Sequence, residues 1–146
     1  MTPEAEAGWR LKAREDLLSF TRWMFRARKG AKWELAAHHH LLSAALMRVY
    51  AGQTKRLIIN IPPRYSKTEF VENFIAWTLG QYPDSEFIYT SYSARLAAKS
   101  SWDCREIASH PEYRAIFPHV RLRDDSAAKD EWRTTAGGLV YAAGSG

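Results

Sequence analysis

The sequence has very little cysteine: Cys104 is the single one among 146 residues. One thiol excludes an intramolecular disulfide and any zinc site built from several cysteines, and it makes a reducing compartment the default. A lone cysteine is most often a small buried apolar side chain, and we expect this of Cys104. The sequence also lacks the run of about 18 apolar residues that a membrane span needs, and it begins with acids before any apolar stretch. We therefore expect a soluble, unprocessed chain.

The composition is that of an ordinary globular domain. Hydrophobic residues make up 46% of the sequence and aromatic residues 13%, which is enough to build a core. The formal net charge is +5. A moderate basic excess suits an anionic partner, such as nucleic acid or a nucleotide, without requiring one.

Periodic apolar residues predict the helices. Residues 4–28 repeat apolar side chains at a helical period and predict one long helix or two short ones, with Gly30 ending the pattern. The same reasoning predicts helices at residues 35–50, 67–79 and 93–109. Residues 110–129 contain two prolines and a mixed-charge run, and they predict mostly loop.

Short β-rich runs predict four strands, at residues 57–61, 86–92, 131–135 and 139–143. The first is uninterrupted and apolar, which is typical of a buried parallel strand. The last two predict an antiparallel pair joined at Gly137-Gly138. A strand, a helix, a strand and a helix in this order indicate an α/β fold with a parallel sheet. We predict a helical segment at residues 1–52 and part of a nucleotide-binding core at residues 53–146.

The most distinctive stretch follows the first predicted strand. Lys67 and Thr68 stand where a strand ends and a helix begins, which is the arrangement of a phosphate-binding loop. The usual form, G-x-x-x-x-G-K-[ST], has two glycines, and this sequence has Ile61 and Ser66 there. Lys67 would neutralise phosphate charge, Thr68 would coordinate Mg²⁺ and Arg64 would add a second cation. We expect Ser66 to replace the inner glycine with a negative φ.

Two other clusters have candidate chemistry. Five basic residues could contact phosphates or form a solvated face: Arg22, Arg26, Arg28, Lys29 and Lys32. Three consecutive histidines, residues 38–40, lie near the start of a predicted helix. Adjacent imidazoles point around a helix instead of toward one metal ion. We expect a place at the helix start, or ring stacking, for one of them.

The stretch from Arg56 to Glu69 resembles the deviant Walker A segment of the large terminase subunits of tailed bacteriophages. In that family, Pro-Pro-Arg-x-[Gly/Ser]-Lys-[Ser/Thr]-Glu follows the strand, and this pattern is fairly specific. Residues 33–52, 88–97 and 130–144 resemble the family in the same order. Together these stretches span most of residues 33–146.

The resemblance implies the amino-terminal part of a packaging ATPase domain. The implied fold is an incomplete P-loop NTPase of the ASCE type, a parallel sheet flanked by helices and preceded by a helical segment. The implied activity is an ATP-driven motor that moves double-stranded viral DNA into a capsid, with ATP and Mg²⁺ as cofactors. The implied partners are the portal protein and the small terminase subunit. The full-length protein would form a homo-oligomeric ring in the cytoplasm of a bacterial host cell, with no membrane.

The resemblance also implies roles for individual residues. Lys67 and Arg64 match the family's catalytic loop residues, and Thr68 matches its Mg²⁺ ligand. The implied nucleotide-binding residues of the loop are Pro63, Arg64, Tyr65, Ser66, Lys67, Thr68 and Glu69. In the family, the region ahead of the first strand contributes to the adenine contact, and Trp33 and His39 are the candidates here.

The sequence departs from the family in its acidic residues. The Walker B strand with its acidic pair, the catalytic glutamate, the coupling motif and the nuclease domain would all lie after residue 146, so the core would be truncated before Walker B. Asp124-Asp125 follows a charged loop and is a poor substitute. Without those acids, the metal and the attacking water lack protein partners. We therefore expect weak nucleotide binding and hydrolysis near background.

Three alternatives stay open. A nucleic-acid-binding module without ATPase activity would use the five basic residues with Trp23 and Trp33 as phosphate and stacking contacts. An unrelated P-loop kinase or helicase-like ATPase would need an acceptor-site or helicase motif, and none is visible. A plain strand-to-helix turn with exposed basic residues would explain Lys67 without any ligand.

Overall fold

The computed structural model describes residues 1–125 and 128–145. These residues form helices and a small mixed sheet, so the chain is of mixed α/β class. The chain divides into two compact units, Met1–Phe74 and Ile75–Gly146. The domain boundary predicted after residue 52 stays a prediction. Within the described ranges, no helix combines the length and the apolar character that crossing a membrane takes.

The first unit is helical, and local caps account for several of its helix boundaries. Its elements are α1 (Pro3–Glu15), α2 (Leu17–Lys29), α3 (Ala37–Tyr50) and the first half of α4 (Lys67–Gln81). The Asp16 carboxylate accepts a hydrogen bond of 2.9 Å from the Ser19 N–H, and side-chain acceptors of this kind favour a new helix start. Residues 4–28 therefore form two helices. Gly30 ends α2 with a φ of 67°, a left-handed conformation that glycine adopts without a steric penalty.

Apolar side chains at helical spacing fill the core of this unit. Those buried in the first three helices are Ala13, Leu17, Phe20, Met24, Leu42 and Leu46. Trp33, between α2 and α3, is also buried, and so is Phe70 in α4. Burying apolar side chains of this size is the main source of helix stability in a folded protein.

Residues 57–61 do not form a strand, which corrects the prediction of a buried parallel strand. The segment between α3 and α4 has no regular secondary structure, and Ile58 is 84% exposed. An apolar run becomes a strand only when neighbouring strands pair with its backbone N–H and C=O groups. No strand in the described part of the chain pairs with this segment, and the pattern of one run cannot show whether a partner is present.

The second unit contains the sheet. Its elements are the second half of α4, β1 (Glu86–Ser91), α5 (Ala94–Ser109), α6 (Pro111–Ile116), β2 (Glu131–Arg133) and β3 (Leu139–Gly144). The strand order is β1-β3-β2, with β3 parallel to β1 and antiparallel to β2. Glu86 pairs with Leu139 and Ser91 with Gly144. The predicted antiparallel pair is confirmed, and Gly137, with a φ of 97°, lies in the turn that joins it.

Helix α6 lies inside the stretch predicted as mostly loop, so that prediction was too broad. His110 caps α6 because its Nδ1 accepts a hydrogen bond of 3.1 Å from the Glu112 N–H, and Pro111 occupies a first-turn position that suits proline. The Tyr113 hydroxyl donates a hydrogen bond of 2.7 Å to the Ala76 carbonyl. Burial of this ring raises the pKa of Tyr113, so its hydroxyl stays a donor.

Helix α5 packs against the sheet within the second unit. The Trp132 indole N–H donates a hydrogen bond of 3.1 Å to the Ser101 carbonyl, joining β2 to α5. Val140 and Trp132 are buried, as are Ile107 and Cys104 of α5. Cys104 is a buried cysteine that forms no disulfide bond, as predicted for a lone cysteine.

Candidate functional site

The loop before α4 has an unusual backbone. Arg64 has a φ of 69° and Ser66 a φ of 67°. The expectation of a negative φ at Ser66 was therefore wrong. Non-glycine residues in this region pay about 1–2 kcal/mol because the Cβ atom approaches the neighbouring carbonyl. The loop thus keeps the backbone shape that glycine would provide, although serine occupies the position.

This backbone shape places N–H groups around the start of α4. The first helical hydrogen bond joins the Phe70 N–H to the Ser66 carbonyl at 2.9 Å. The N–H groups of residues 67–69 precede that bond, and such groups carry the positive end of the helix dipole. Turns that include left-handed residues direct successive N–H groups into a concave site for an anion. The arrangement can hold a phosphate group.

A cavity of about 570 Å³ opens beside the loop, within the first unit. The loop contributes Arg64, Tyr65, Ser66 and Glu69 to its lining, and the region before α3 contributes Trp33 and His39 among others. The structure therefore brings the predicted adenine candidates together with four residues of the predicted phosphate loop. Pro63, Lys67 and Thr68 are exposed but do not line this cavity.

Trp33 and His39 belong mainly to a buried aromatic cluster. Trp33 is 5% exposed and His39 is 4% exposed. The Trp33 ring meets Phe25 edge-on at 5.0 Å and His39 at 4.9 Å, and His39 stacks on Phe70 at 6.4 Å. The predicted ring-stacking role of one histidine is confirmed. Since both side chains are mostly enclosed, only their edges can meet a ligand in the cavity.

His39 is held as a neutral imidazole. Its Nδ1 accepts hydrogen bonds from the Ala36 N–H at 2.9 Å and from the Trp33 indole N–H at 3.4 Å. An accepting Nδ1 places the proton on Nε2. Burial lowers the pKa of His39, and the neighbouring His38 and His40 lower it further. The buried Nε2 has no hydrogen-bond partner in the part of the chain that the structure describes.

Glu69 is engaged by two other side chains. Its Oε1 lies 2.7 Å from Nη1 of Arg28, and the Asn73 amide donates to the Glu69 carbonyl at 2.8 Å and to Oε1 at 3.1 Å. The Arg28 and Glu69 side chains are only 10% and 20% exposed. Arg28 thus ties α2 to the first turn of α4. The sequence placed Arg28 in a phosphate-contact cluster and missed this role, because no local pattern relates residues 41 positions apart.

Tyr65 connects the loop to α3. Its carbonyl lies 3.3 Å from Nε2 of His38, and the two rings meet edge-on at 5.4 Å. The Tyr65 ring is 50% exposed. About half of this ring is therefore available to a bound ligand.

Thr68 is the candidate Mg²⁺ ligand at the helix start. Protein sites usually hold Mg²⁺ with one or two side chains, phosphate oxygens and water, so a single exposed hydroxyl fits this requirement. Among residues 1–125 and 128–145, no three His, Cys, Asp or Glu side chains gather into a metal-binding group. The Asp125 carboxylate binds the Arg123 guanidinium at 2.6 Å and 2.9 Å in an exposed turn, which lowers the pKa of Asp125.

Comparison with known proteins adds no family assignment. No family model matches the sequence, and neither a curated protein nor a solved structure matches it. The resemblance to the large terminase subunits therefore rests on the sequence motifs quoted above. Membership of that family stays a prediction.

Proposed function

We propose that this chain binds ATP with Mg²⁺ and is the ATP-binding portion of a DNA-packaging motor of the large terminase type. The observation that carries the proposal is the left-handed backbone at Arg64 and Ser66, directly before Lys67 and Thr68 at the start of α4. Strained non-glycine residues persist where the surrounding structure holds them, and they concentrate at functional sites. A plain turn into α4 gives no reason for this strain.

Phosphate binding is assigned to the loop and the first turn of α4. Lys67 is exposed at the first position of the helix, where it can neutralise β- and γ-phosphate charge together with the backbone N–H groups. Arg64 lines the cavity and is also exposed, so it can add a second cation. Glu69 would repel phosphate, but its pairing with Arg28 offsets that charge.

Base and ribose binding is assigned to the cavity. Its volume, about 570 Å³, falls in the range of small-molecule pockets. The half-exposed Tyr65 ring can pack on a base, and the edges of Trp33 and His39 form another part of the lining.

Magnesium is assigned to Thr68 and the nucleotide itself. When bound, Mg²⁺ would supply positive charge that offsets the phosphate charge. The hydroxyl of Thr68 would hold it from the protein side. Glu69 is a poor ligand candidate because its carboxylate already contacts Arg28 and Asn73.

The wider role follows from the sequence resemblance. The proposed motor would couple ATP hydrolysis to movement of double-stranded DNA into a capsid, with the portal protein and the small terminase subunit as partners, as a homo-oligomeric ring. The chain by itself is proposed to hydrolyse ATP near background, because its sequence has no apolar strand ending in two acids after the loop.

Calorimetric titration of the 146-residue chain with Mg-ATP tests the binding proposal. Lys67→Ala removes the charge at the helix start and should weaken binding about tenfold or more, because a charge-assisted hydrogen bond contributes about 1.5–3 kcal/mol. Lys55→Ala is the matched control, since Lys55 is exposed in the same unit and lies outside the loop. It should leave the affinity unchanged.

Two results would count against the proposal. Equal affinity of the parent chain and Lys67→Ala would remove the loop from nucleotide binding. Rapid ATP turnover that disappears in Lys67→Ala would support the site but contradict the proposed near-background hydrolysis.

A further inference from the structure

A second cleft lies in the first unit, and no residue of the loop before α4 lines it. It has a volume of about 370 Å³ and is lined by three indoles and three cations: Trp9, Trp23, Trp33, Arg22, Arg26 and Lys32. Helix α1 supplies one of these residues, α2 supplies three, and the segment after α2 supplies two. We refer to it as the tryptophan cleft.

The aromatic side of the tryptophan cleft is preorganised. The Trp9 and Trp23 rings stack with centroids 5.8 Å apart and an angle of 12° between their planes. The Arg22 guanidinium lies over the Trp9 ring at 5.8 Å. Both indoles are partly exposed. A stacked pair of aromatic rings with a guanidinium over one of them is suited to a flat, electron-rich group such as a nucleobase.

The charged side of the tryptophan cleft is entirely positive. No carboxylate is among its lining residues, and no salt bridge found in the described part of the chain involves Arg22, Arg26 or Lys32. Arg28 differs, because it is bound to Glu69. Cations that lack an acidic partner next to aromatic rings favour an anion that also has a ring.

We propose that the tryptophan cleft binds a phosphorylated nucleoside whose base is unstacked. The base would pack on the indoles, and its phosphate would meet Arg22 and Arg26. The volume of the cleft suits one nucleotide unit instead of a duplex, and the bases inside a duplex cannot present their faces. Such a group can come from a free mononucleotide or from a single strand of nucleic acid.

This proposal changes the set of residues assigned to the nucleic-acid-binding alternative that the sequence left open. Of the five basic residues considered there, Arg28 is engaged by Glu69 and Lys29 does not line the cleft. Trp9, which the sequence did not suggest, provides half of the stacked pair. Trp33 and Lys32 line both cavities, so the discriminating variants are made at Trp9, Arg22 and Arg26.

Fluorescence anisotropy with a labelled oligothymidylate of eight nucleotides tests the proposal on the full chain. Arg22→Gln combined with Arg26→Gln should weaken binding about tenfold and reduce the log–log salt slope by about 0.7, since the two arginines meet one phosphate and each phosphate neutralised on a single strand contributes about 0.7. Trp9→Leu should weaken binding about fivefold or more, whereas Trp9→Phe, which keeps an aromatic face, should retain most of it.

Two comparisons keep this test separate from the ATP proposal. Lys29→Gln makes the same charge change in α2 outside the cleft and should retain affinity. Lys67→Ala should retain oligonucleotide binding while its affinity for Mg-ATP falls about tenfold or more. The double arginine variant should retain its affinity for Mg-ATP and lose affinity for the oligonucleotide. Titration with thymidine monophosphate distinguishes the sources: saturation by the mononucleotide indicates a free ligand, and binding of the oligonucleotide alone indicates a strand.

Three results would overturn the proposal. The first is an equal loss of binding in Lys29→Gln and the double arginine variant, which would indicate general charge attraction. The second is binding to a duplex as tight as to the single strand, which would exclude stacking of an unstacked base. The third is no binding of either probe at 50 mM salt, where electrostatic contacts are strong.

Discussion

Ser66 is a residue whose side chain does not suit the backbone conformation that it adopts. A serine with a φ of 67° occupies a backbone conformation that glycine adopts freely. The sequence identified the position as the inner glycine of a phosphate loop but led to the opposite sign for its φ. The side-chain type indicates which backbone conformation a residue prefers. The contacts of the loop and of α4 determine which conformation it adopts.

Ser66→Gly should relieve this strain. We expect the free energy of unfolding to rise by about 0.5–1 kcal/mol, because the relief of about 1–2 kcal/mol is partly offset by the greater freedom of glycine in the unfolded chain. Urea denaturation measures the change. Ser93→Gly is the control: Ser93 caps α5 with a φ of −114°, so glycine there should destabilise. Destabilisation by both substitutions would show that Ser66 is not strained.

We expect the buried imidazole of His39 to make the stability of the protein depend on pH. Its pKa is lowered from 6.5 by burial and by His38 and His40, so the unfolded chain takes up a proton at a higher pH than the folded chain does. The contribution of neutral His39 to the free energy of unfolding should therefore be complete above pH 6.5 and should be lost as the pH drops below that value.

Urea denaturation between pH 5 and 8 compares the parent chain with His39→Gln. Glutamine can still accept the Ala36 N–H at the helix start but does not titrate, so the slope should be smaller in the variant. His40→Gln, at an exposed neighbour, should keep most of it. Identical slopes in the parent chain and His39→Gln would contradict the assignment of the slope to this imidazole.

At the scale of elements, an ion pair joins α4 to α2 within the first unit. Arg28 and Glu69 are mostly buried and 2.7 Å apart. A partner left alone at such a site keeps its charge without compensation, which costs more than the pair itself contributes. In this protein the uncompensated charge would also lie beside the proposed phosphate site.

Arg28→Gln should therefore have two effects. We expect a loss of about 2 kcal/mol in the free energy of unfolding and a several-fold weaker affinity for Mg-ATP, because the Glu69 carboxylate would repel phosphate. Adding Glu69→Gln should recover part of both, which a double-mutant cycle measures. Lys29→Gln, the adjacent exposed position, should change neither. Equal behaviour of Arg28→Gln and Lys29→Gln would show that the ion pair has no such role.

Sequence pattern located most elements because most of them are defined locally. The predicted helix at residues 67–79 is Lys67–Gln81 in the structure, and the predicted strand at 86–92 is Glu86–Ser91. Caps and periodic apolar residues are visible over a few positions. The failure at residues 57–61 has a different origin, since a strand depends on partners elsewhere in the chain. Helix α6 was missed because Pro111 was interpreted as a loop signal instead of a first-turn residue.

At the scale of the whole molecule, the net charge is +5, and two groups of basic side chains lie within the first unit. One is the loop with Arg64 and Lys67, and the other is the tryptophan cleft with its three cations. Sequence motifs could identify the loop as a candidate site, because a Lys-Thr pair at a helix start is a local pattern. They could not predict the walls of either cavity, which depend on contacts between residues far apart in sequence.

The central claim is that the loop before α4 binds the phosphates of ATP. The most direct measurement is a crystal structure of the chain with Mg²⁺ and a non-hydrolysable ATP analogue. The account predicts phosphate oxygens at the N–H groups of residues 67–69 and at the Lys67 ammonium, with the base in the cavity beside Tyr65. An analogue bound in the tryptophan cleft, with no phosphate at residues 67–69, would contradict it.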